Sequence, residues 1–435
     1  MSRDQAQEQA RQDAYESPHP ISRLPVELLS EIFLLCNPAY PKAPPLFGID
    51  SPLKLTQICT LWRAIAHSTP RLWTAISLID PDLSRYPLEM QLATARRWLA
   101  RARGLPLSVV FDHPWTLSTD ERDAALAVLL EYRAQWEYAV LKVDDVAMLE
   151  YVARAIVEAS LLKYLEVHAN PNPEIRIQWP FLPAGSSAPK LETLFLHHVD
   201  VPLESFKTWD WSHLTRVHLP NTSVAVIASL LPHTPNLVAC HVVLMKDDLT
   251  PAYRDAPAEL APIALPRLET LVLRAHDDIT VVPHACASGL VKLLRALTAP
   301  ALQRLYLDQD LLHWHPDATS ALDASNSSVT TSVPPGPPGD NIALSIADLP
   351  RFIYDPRKEL LPKLIGAMGC TETLRCLYVA YTSVPVEVYQ ASEAFKGVAH
   401  VSAARGAGVH LLAAPGERGV RAGHEECGWP RFTLG

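Results

Sequence analysis

The sequence predicts an α/β protein in which an N-terminal all-α helical module is followed by an irregular α/β solenoid. Three observations predict this class. Residues 21–78 contain two amphipathic helical stretches, a loose L-x-x-L-x-L pattern recurs from about residue 136 to 380, and helix-like stretches lie between its recurrences. A unit of one short strand and one return helix cannot bury its apolar face alone, so neighbouring units must stack.

The first helix is predicted over residues 21–36. Pro25 suits the first helical turn, where the missing N–H costs nothing. The apolar stripe is wide, which predicts that the helix buries two faces. This stripe consists of Leu28, Leu29, Ile32, Phe33, Leu35 and Cys36.

A second helix is predicted after a proline-containing linker at residues 37–52. Six residues recur at i, i+3, i+4, i+7, i+10 and i+11, which places them on one continuous helical face. They are Leu55, Ile58, Cys59, Trp62, Ile65 and Ala66. Pro70 ends this helix because the residue before a proline resists the helical region. Leu72 and Trp73 then begin a short apolar segment.

Residues 79–135 are predicted to be linking helices and a first strand. A helix over 88–103 stops at Gly104, a strand follows at 105–111, and a further helix covers 119–132. Four arginines lie on the outer side of the first of these helices, at positions 96, 97, 101 and 103. We interpret them as a solvated helix face, with contact to an acidic partner or nucleic acid as the alternative.

The repeats occupy the predicted solenoid, residues 136–313, and a terminal repeat at 343–396. The matching segments begin at Leu162, Leu191, Leu214, Leu237, Leu268, Leu302 and Leu374, with a weaker one at Trp136. Helices are predicted between them, at 148–160, 224–231, 288–297 and 359–368. Successive starts lie 23 to 34 residues apart except for the last interval of 72.

Three segments are predicted to lack stable structure. Residues 1–20 read as a disordered arm, and the Ser-, Thr-, Pro- and Gly-rich residues 314–342 as a disordered insertion that explains the long interval. Residues 397–435 contain eight of the sixteen glycines and lose the leucine periodicity, so we expect a poorly ordered tail.

Composition excludes several classes of protein. The net charge of -9 and pI near 6.0 disfavour a dedicated nucleic-acid binder. No apolar run approaches the roughly 20 residues of a membrane span, so we expect no membrane association. The seven cysteines form no C-x-x-C pair, which favours reduced, mostly buried thiols in an intracellular protein of the cytoplasm or nucleus.

No motif indicates catalysis. The chain lacks the glycine-rich nucleotide loops and the G-x-S-x-G nucleophile turn. His197-His198 and His313-Trp314-His315 have no supporting Cys or H-E-x-x-H context, so we interpret them as solvated or turn histidines. We therefore expect no enzyme activity, no cofactor and no metal. An enzyme hidden in a repeat scaffold remains an alternative without motif support.

The order of motifs in residues 21–78 resembles the F-box family. The matching positions are Leu24-Pro25, Glu27, Ile32, Ile58-Cys59-x-x-Trp62 and Leu72-Trp73. The resemblance implies an F-box-like domain that docks on the Skp-type adaptor of a cullin–RING ubiquitin ligase. The implied adaptor-binding residues are Leu24, Pro25, Leu28, Ile32, Phe33, Leu55, Ile58, Cys59, Trp62, Leu72 and Trp73. The alternative is that this segment only caps the solenoid.

The repeats resemble degenerate leucine-rich repeats, and the long combination with an F-box is common in fungi. Only Asn170 occupies the asparagine ladder position that follows each motif, so the ladder is irregular. Together the two resemblances imply a substrate-recruiting subunit of an SCF-type ligase whose repeats bind an unknown protein target. The alternative is an adaptor-bound interaction scaffold without ubiquitin ligase output.

Overall fold

The fold is described from a computed structural model. The described residues are 20–78, 85–113, 117–169, 177–178, 190–197, 199–200, 209–244, 260–275, 284–308, 357–380, 395 and 397–404. Over these residues the chain is a mixed α/β protein with a large parallel sheet, which confirms that the protein is of the α/β class. The predicted arm up to residue 19 and the predicted insertion at 314–342 lie outside the described residues.

The helices are α1 Val26–Leu35, α2 Leu55–Ile58, α3 Thr60–Ser68, α4 Leu88–Arg101, α5 Thr119–Leu130, α6 Val146–Glu158, α7 Val224–Leu230, α8 His284–Ala296 and α9 Arg357–Ala367. The strands of the large sheet are β1 Ala75–Leu78, β2 Leu107–Phe111, β3 Trp136–Val143, β4 Tyr164–Ala169, β6 Thr193–His197, β8 Arg216–Thr222, β9 Ala239–Leu244, β11 Thr270–Ala275, β13 Arg304–Asp308, β14 Cys376–Ala380 and β15 His400–Ala404. Short strands β5 Ile177–Gln178 and β7 Val199–Asp200 pair with each other, as do β10 Ile263–Ala264 and β12 Leu297–Thr298.

The chain forms two compact units. The first runs to Lys142 and includes Arg154–Tyr164, and the second contains Val143–Ala153 and the described residues from Leu165 onwards. In the first unit, β1, β2 and β3 lie side by side as parallel strands. The N-terminal helices and these strands therefore belong to one body.

In the second unit the strands succeed one another in chain order, from β4 through β6, β8, β9, β11, β13 and β14 to β15. Parallel pairing keeps the same register from strand to strand, so Val217 pairs with Cys240, Cys240 with Leu271 and Leu271 with Leu305. These residues are all buried because successive side chains of a strand alternate between faces and the motif leucines share one face. Each predicted repeat motif falls on a strand, which confirms the predicted strand positions.

Most predicted helices are confirmed to within a few residues. The helix predicted over 119–132 is α5, which begins with a capping box in which Ser118 and Glu121 bond reciprocally to each other's backbone N–H. The helix predicted over 88–103 is α4, and Gly104 follows it with a φ of 81°. Arg103, directly after the C-cap residue Ala102, is left-handed as well, with a φ of 52°, and a left-handed residue there is a common way to end a helix.

Two predictions need correction. The helix predicted from Leu55 to Ala66 is interrupted at Cys59, which has an extended backbone with φ −155° and ψ 172°. Strand β15 lies inside the segment predicted to be a poorly ordered tail, where it pairs in parallel with β14. A strand at this position extends the sheet without continuing the leucine pattern, so leucine spacing did not reveal it.

Candidate partner-binding surface

The core of the N-terminal helical module is built from one side of α1. Leu29 and Phe33 are fully buried, α1 is in contact with α3, and the buried residues of α3 are Ile65 and Ala66. The ring of Phe33 also lies against the ring of Trp62, with 4.8 Å between centroids. Burying a side chain of this size contributes about 1.5–3 kcal/mol, so these contacts hold α1 and α3 together.

Trp73 is a second large aromatic residue in the core of the N-terminal helical module. Its side chain is fully buried, and its indole N–H donates to the carbonyl oxygen of Ala66 at 2.8 Å. The Trp98 ring of α4 packs edge-on against it at 5.1 Å, and the Arg101 guanidinium lies over its face at 4.7 Å. The core of the F-box-like segment therefore continues beyond the predicted boundary at residue 78.

The break at Cys59 sets the orientation of its neighbours. The Cys59 thiol accepts a hydrogen bond from the backbone N–H of Trp62 at 3.5 Å and so caps α3. Because the backbone turns here, Ile58 and Cys59 are exposed instead of sharing the buried face with Leu55 and Ile65. The predicted continuous apolar face is thus wrong at these two positions.

The outer sides of these helices carry large apolar side chains that remain in contact with solvent. On α1, Leu28 is 52% exposed, Ile32 38% and Leu35 85%, and their i, i+4, i+7 spacing places them on one side. On α2 and α3, Ile58 is 54% and Leu61 38% exposed, and Leu24 just before α1 is 37% exposed. We call these six residues the apolar docking surface. Exposed apolar side chains that share one side of a helix, as Leu28, Ile32 and Leu35 do, are typical of protein-interaction sites.

The long linker between α1 and α2 is fixed by contacts within the first unit. The Tyr40 hydroxyl donates to Glu137 of β3 at 2.8 Å, and Lys163 donates to the other oxygen of that carboxylate at 2.7 Å. The Ser108 hydroxyl donates to the carbonyl oxygen of Pro41 at 2.5 Å. Burial raises the pKa of Glu137, but the hydrogen bonds from Lys163 and Tyr40 outweigh it and lower that pKa overall. The linker therefore packs on the strands despite its length.

The structure divides the predicted adaptor-binding residues into two groups. Those with exposed side chains are Leu24, Pro25, Leu28, Ile32, Ile58 and Cys59, with Trp62 partly exposed. Those in the core are Phe33, Leu55, Leu72 and Trp73. The second group can support the surface but is not available for direct contact. Leu35 and Leu61 belong to the exposed surface and were not predicted, although Leu35 completes the i, i+4, i+7 spacing of α1.

A second feature lies on the sheet of the second unit, on the face opposite the buried leucines. Four histidines follow one another on β4, β6, β8 and β9, and we call them the histidine row: His168, His197, His218 and His241. The rings of His168 and His197 stack at 4.2 Å between centroids, and those of His218 and His241 stack at the same distance. His197 meets His218 edge-on at 5.4 Å, which links the two stacks.

The last two histidines of this row, His218 and His241, are neutral at physiological pH. The pKa of His218 is lowered to about 3, mainly by burial, with His241 and His168 acting in the same direction and Glu166 opposing them. Burial also lowers the pKa of His241 to about 4, assisted by Arg274 and His197. Stacked imidazoles are compatible with this state because two protonated rings at such a distance would repel each other.

Sequence reasoning treated His197 as a solvated or turn residue and did not single out the other three. A signal was present, because His218 and His241 occupy the same place in consecutive motifs, between the last two apolar positions. His168 and His197 likewise follow the last apolar position of their motifs. In-register parallel strands bring such equivalent positions together.

The comparisons with known proteins add no family. No protein-family model matches the chain, and no curated protein is significantly similar to it.

Within the described part of the chain, no helix combines the length and apolar character needed to cross a bilayer. Of the cysteines whose burial is described, Cys240 and Cys370 are buried, whereas Cys36 and Cys59 are exposed.

Proposed function

We propose that this protein is the substrate-recruiting subunit of an SCF-type cullin–RING ubiquitin ligase. In this role an F-box-like module holds the Skp-type adaptor, and leucine-rich-repeat-like strands hold the target. Ubiquitin transfer takes place on other subunits, so this chain contributes proximity rather than a catalytic residue.

One observation carries the proposal: the apolar docking surface lies on the helices that bear the F-box-like motifs. Leu28 and Ile32 leave a large part of their area in water although Leu29 and Phe33, next to them on α1, already supply the module core. An adaptor that offers a hydrophobic groove would remove this area from water, and helix-in-groove binding is a common mode of recognition. Leu24-Pro25 and Trp62 stand at the positions that the family resemblance marks.

The strand order of the second unit supports the target-binding half of the proposal. Parallel strands in chain order, each contributing motif leucines to one buried face, are what stacked leucine-rich repeats require. The opposite face carries histidines together with Arg274, Tyr306 and Tyr378, and the two tyrosine rings stack at 4.4 Å. A polar and aromatic face of this kind suits a protein ligand, since tyrosine and arginine are enriched at binding sites.

The docking proposal is tested with the full chain, because Trp98 and Glu137 lie beyond any short N-terminal fragment. The chain is co-expressed with a tagged Skp-type adaptor and captured through the tag. The double variant Leu28→Glu/Ile32→Glu places two charges on the apolar docking surface and should lose capture while circular dichroism stays unchanged. Leu161→Glu, at a position 43% exposed in the same unit, is the matched control and should be captured like the wild type.

Failure of folded wild-type chain to bind the adaptor would overturn the docking proposal. Ligase output requires a second experiment, in which proximity labelling identifies targets of the wild-type chain. Their half-lives are then compared in cells that express the wild-type chain or the Leu28→Glu/Ile32→Glu variant. Targets should be stabilised by the variant, and unchanged half-lives would leave an adaptor-bound scaffold as the better account.

A further inference from the structure

The face of the sheet that carries the histidine row also places a carboxylate beside two imidazoles. Glu166 and His168 are two residues apart on β4, so their side chains emerge on the same face, while Leu165 and Val167 between and beside them are buried. His197 stands on the next strand of the sheet, β6. One ligand atom from each of these three residues lies within 4.8 Å of the other two.

We propose that Glu166, His168 and His197 form a binding site for a divalent transition-metal ion of the Zn²⁺ class. This inference is independent of adaptor docking, which involves the other compact unit. Two imidazoles and one carboxylate are a donor set that suits Zn²⁺, Cu²⁺, Ni²⁺ or Fe²⁺, whereas Mg²⁺ and Ca²⁺ prefer oxygen ligands alone. Three protein ligands leave at least one coordination position for water or for a donor from a bound partner.

The geometry requires only side-chain movement. Ligand atoms around tetrahedral Zn²⁺ stand about 3.3 Å apart, given metal–nitrogen distances of about 2.0–2.1 Å. Donors at the 4.8 Å limit need to approach by roughly 1.5 Å, whereas the Glu166 and His168 donor atoms, 2.5 Å apart, need to separate by somewhat under about 1 Å. Rotation about side-chain bonds can provide both movements. The strands themselves are fixed by the sheet and by the buried leucines, so the donors project from a rigid base. Such a base favours a defined coordination geometry.

The contacts around the donors also fit the site. Nε2 of His168 lies 2.5 Å from Oε1 of Glu166, so a carboxylate and an imidazole already meet edge to edge. The His168 and His197 rings are nearly parallel, with an interplanar angle of 15°. His218 packs edge-on against His197 and restricts the orientation of that ring, which makes it a positioning residue. Without metal, the first contact is an ordinary His–Glu ion pair, which is the competing explanation.

The test uses untagged full-length chain, stripped with a chelator and then dialysed free of it. Zn²⁺ is added in equilibrium dialysis, and bound metal is measured by mass spectrometry. The variants are Glu166→Gln, His168→Asn and His197→Asn, which keep hydrogen-bonding side chains at these half-buried positions of the sheet face. The matched controls are His213→Asn and His233→Asn, which alter exposed histidines elsewhere in the same unit.

Each ligand variant should lose one equivalent of Zn²⁺ relative to the wild type, or weaken that site by at least about tenfold. The controls should keep it, and Mg²⁺ should not compete. Co²⁺ should give a visible absorption spectrum typical of nitrogen and oxygen ligands in the wild type and lose it in His197→Asn. Equal binding by wild type and ligand variants, or an equal loss in the controls, would overturn the proposal in favour of adventitious surface binding. Folded wild-type chain that binds no Zn²⁺ would leave only the ion pair.

Discussion

Leu28 and Leu29 are consecutive residues of α1, but Leu28 is exposed and Leu29 is buried. Replacing each of them in turn therefore separates an effect on docking from an effect on folding. Leu29 is fully buried, whereas Leu28 is 52% exposed. We predict that Leu29→Ala lowers the free energy of unfolding by about 2–5 kcal/mol, because it leaves a cavity in the module core. Leu28→Ala should lower it by no more than about 1.5 kcal/mol, since only about half of this side chain is buried.

The order should reverse for adaptor binding. Complete burial of a leucine side chain is worth about 1.5–3 kcal/mol, and about half of Leu28 remains to be buried, so its removal should weaken binding by about 0.8–1.6 kcal/mol. This corresponds to a roughly 4- to 15-fold increase in Kd. Leu29→Ala should bind with little change at temperatures where it is still folded, because the residue does not reach the apolar docking surface.

Urea unfolding of the full chain measures the first quantity, and calorimetric titration with a Skp-type adaptor measures the second. The two alanine variants serve as each other's control, since they share the helix, the residue type and the loss of side-chain volume. The reasoning is refuted if Leu28→Ala binds the adaptor as tightly as the wild type. It is equally refuted if both variants affect stability to the same extent.

Three further predictions concern the supporting structure and are measured by urea unfolding of the full chain. Trp73→Phe removes the indole N–H that bonds to Ala66 and should destabilise the first unit by about 1–3 kcal/mol; an unchanged midpoint would show that this hydrogen bond is unimportant. Ser118→Ala removes the N-cap of α5 and should cost about 0.5–2 kcal/mol, whereas Ser118→Asp should retain most of the stability. Stability should fall as the pH drops from about 6.5 towards 4, because His218 and His241 take up protons in the unfolded chain before they do so in the folded one. Each histidine changes the free energy of unfolding by up to about 1.4 kcal/mol per pH unit. Replacing both by Gln should make the free energy of unfolding less dependent on pH when it is measured in the presence of a chelator.

The sequence predicted those parts of the fold in which a local pattern is sufficient. The repeat motifs identify strands because alternation of apolar residues directly produces a strand with one buried face. The helix predicted over 119–132 is likewise a local feature, and the structure adds the Ser118–Glu121 capping box at its start. Parallel sheet pairing then follows from the repeats, since each strand must be covered by an equivalent neighbour.

The remaining features depend on contacts between distant residues. Helical periodicity alone gave one continuous helix from Leu55 to Ala66, because nothing in the spacing shows that the Cys59 backbone is extended. The attachment of Tyr40 to Glu137 joins residues 97 positions apart, so no local rule predicts it. The sequence predicted only a wide apolar stripe on α1. The structure shows which of its residues are exposed, such as Leu28, and which are buried, such as Leu29.

The histidine row shows an intermediate case. Each histidine lies at a position that the repeat motif fixes, so alignment of the motifs predicts that the residues share a face. The stacking of His168 on His197 depends on how β4 and β6 are placed beside each other, and the starts of their motifs, Leu162 and Leu191, are 29 residues apart. The motif positions contain the information that these residues share a face, but the sequence analysis did not single them out, and their proximity is visible only in the structure.

Hydrogen–deuterium exchange of the full chain, with and without a Skp-type adaptor, tests the central claim most directly. The account predicts that the adaptor slows exchange in residues 24–35 and 55–62 and leaves the strands of the second unit unchanged. Protection confined to the second unit, or no protection when the adaptor is present in excess, would contradict the assignment of these helices as the docking site.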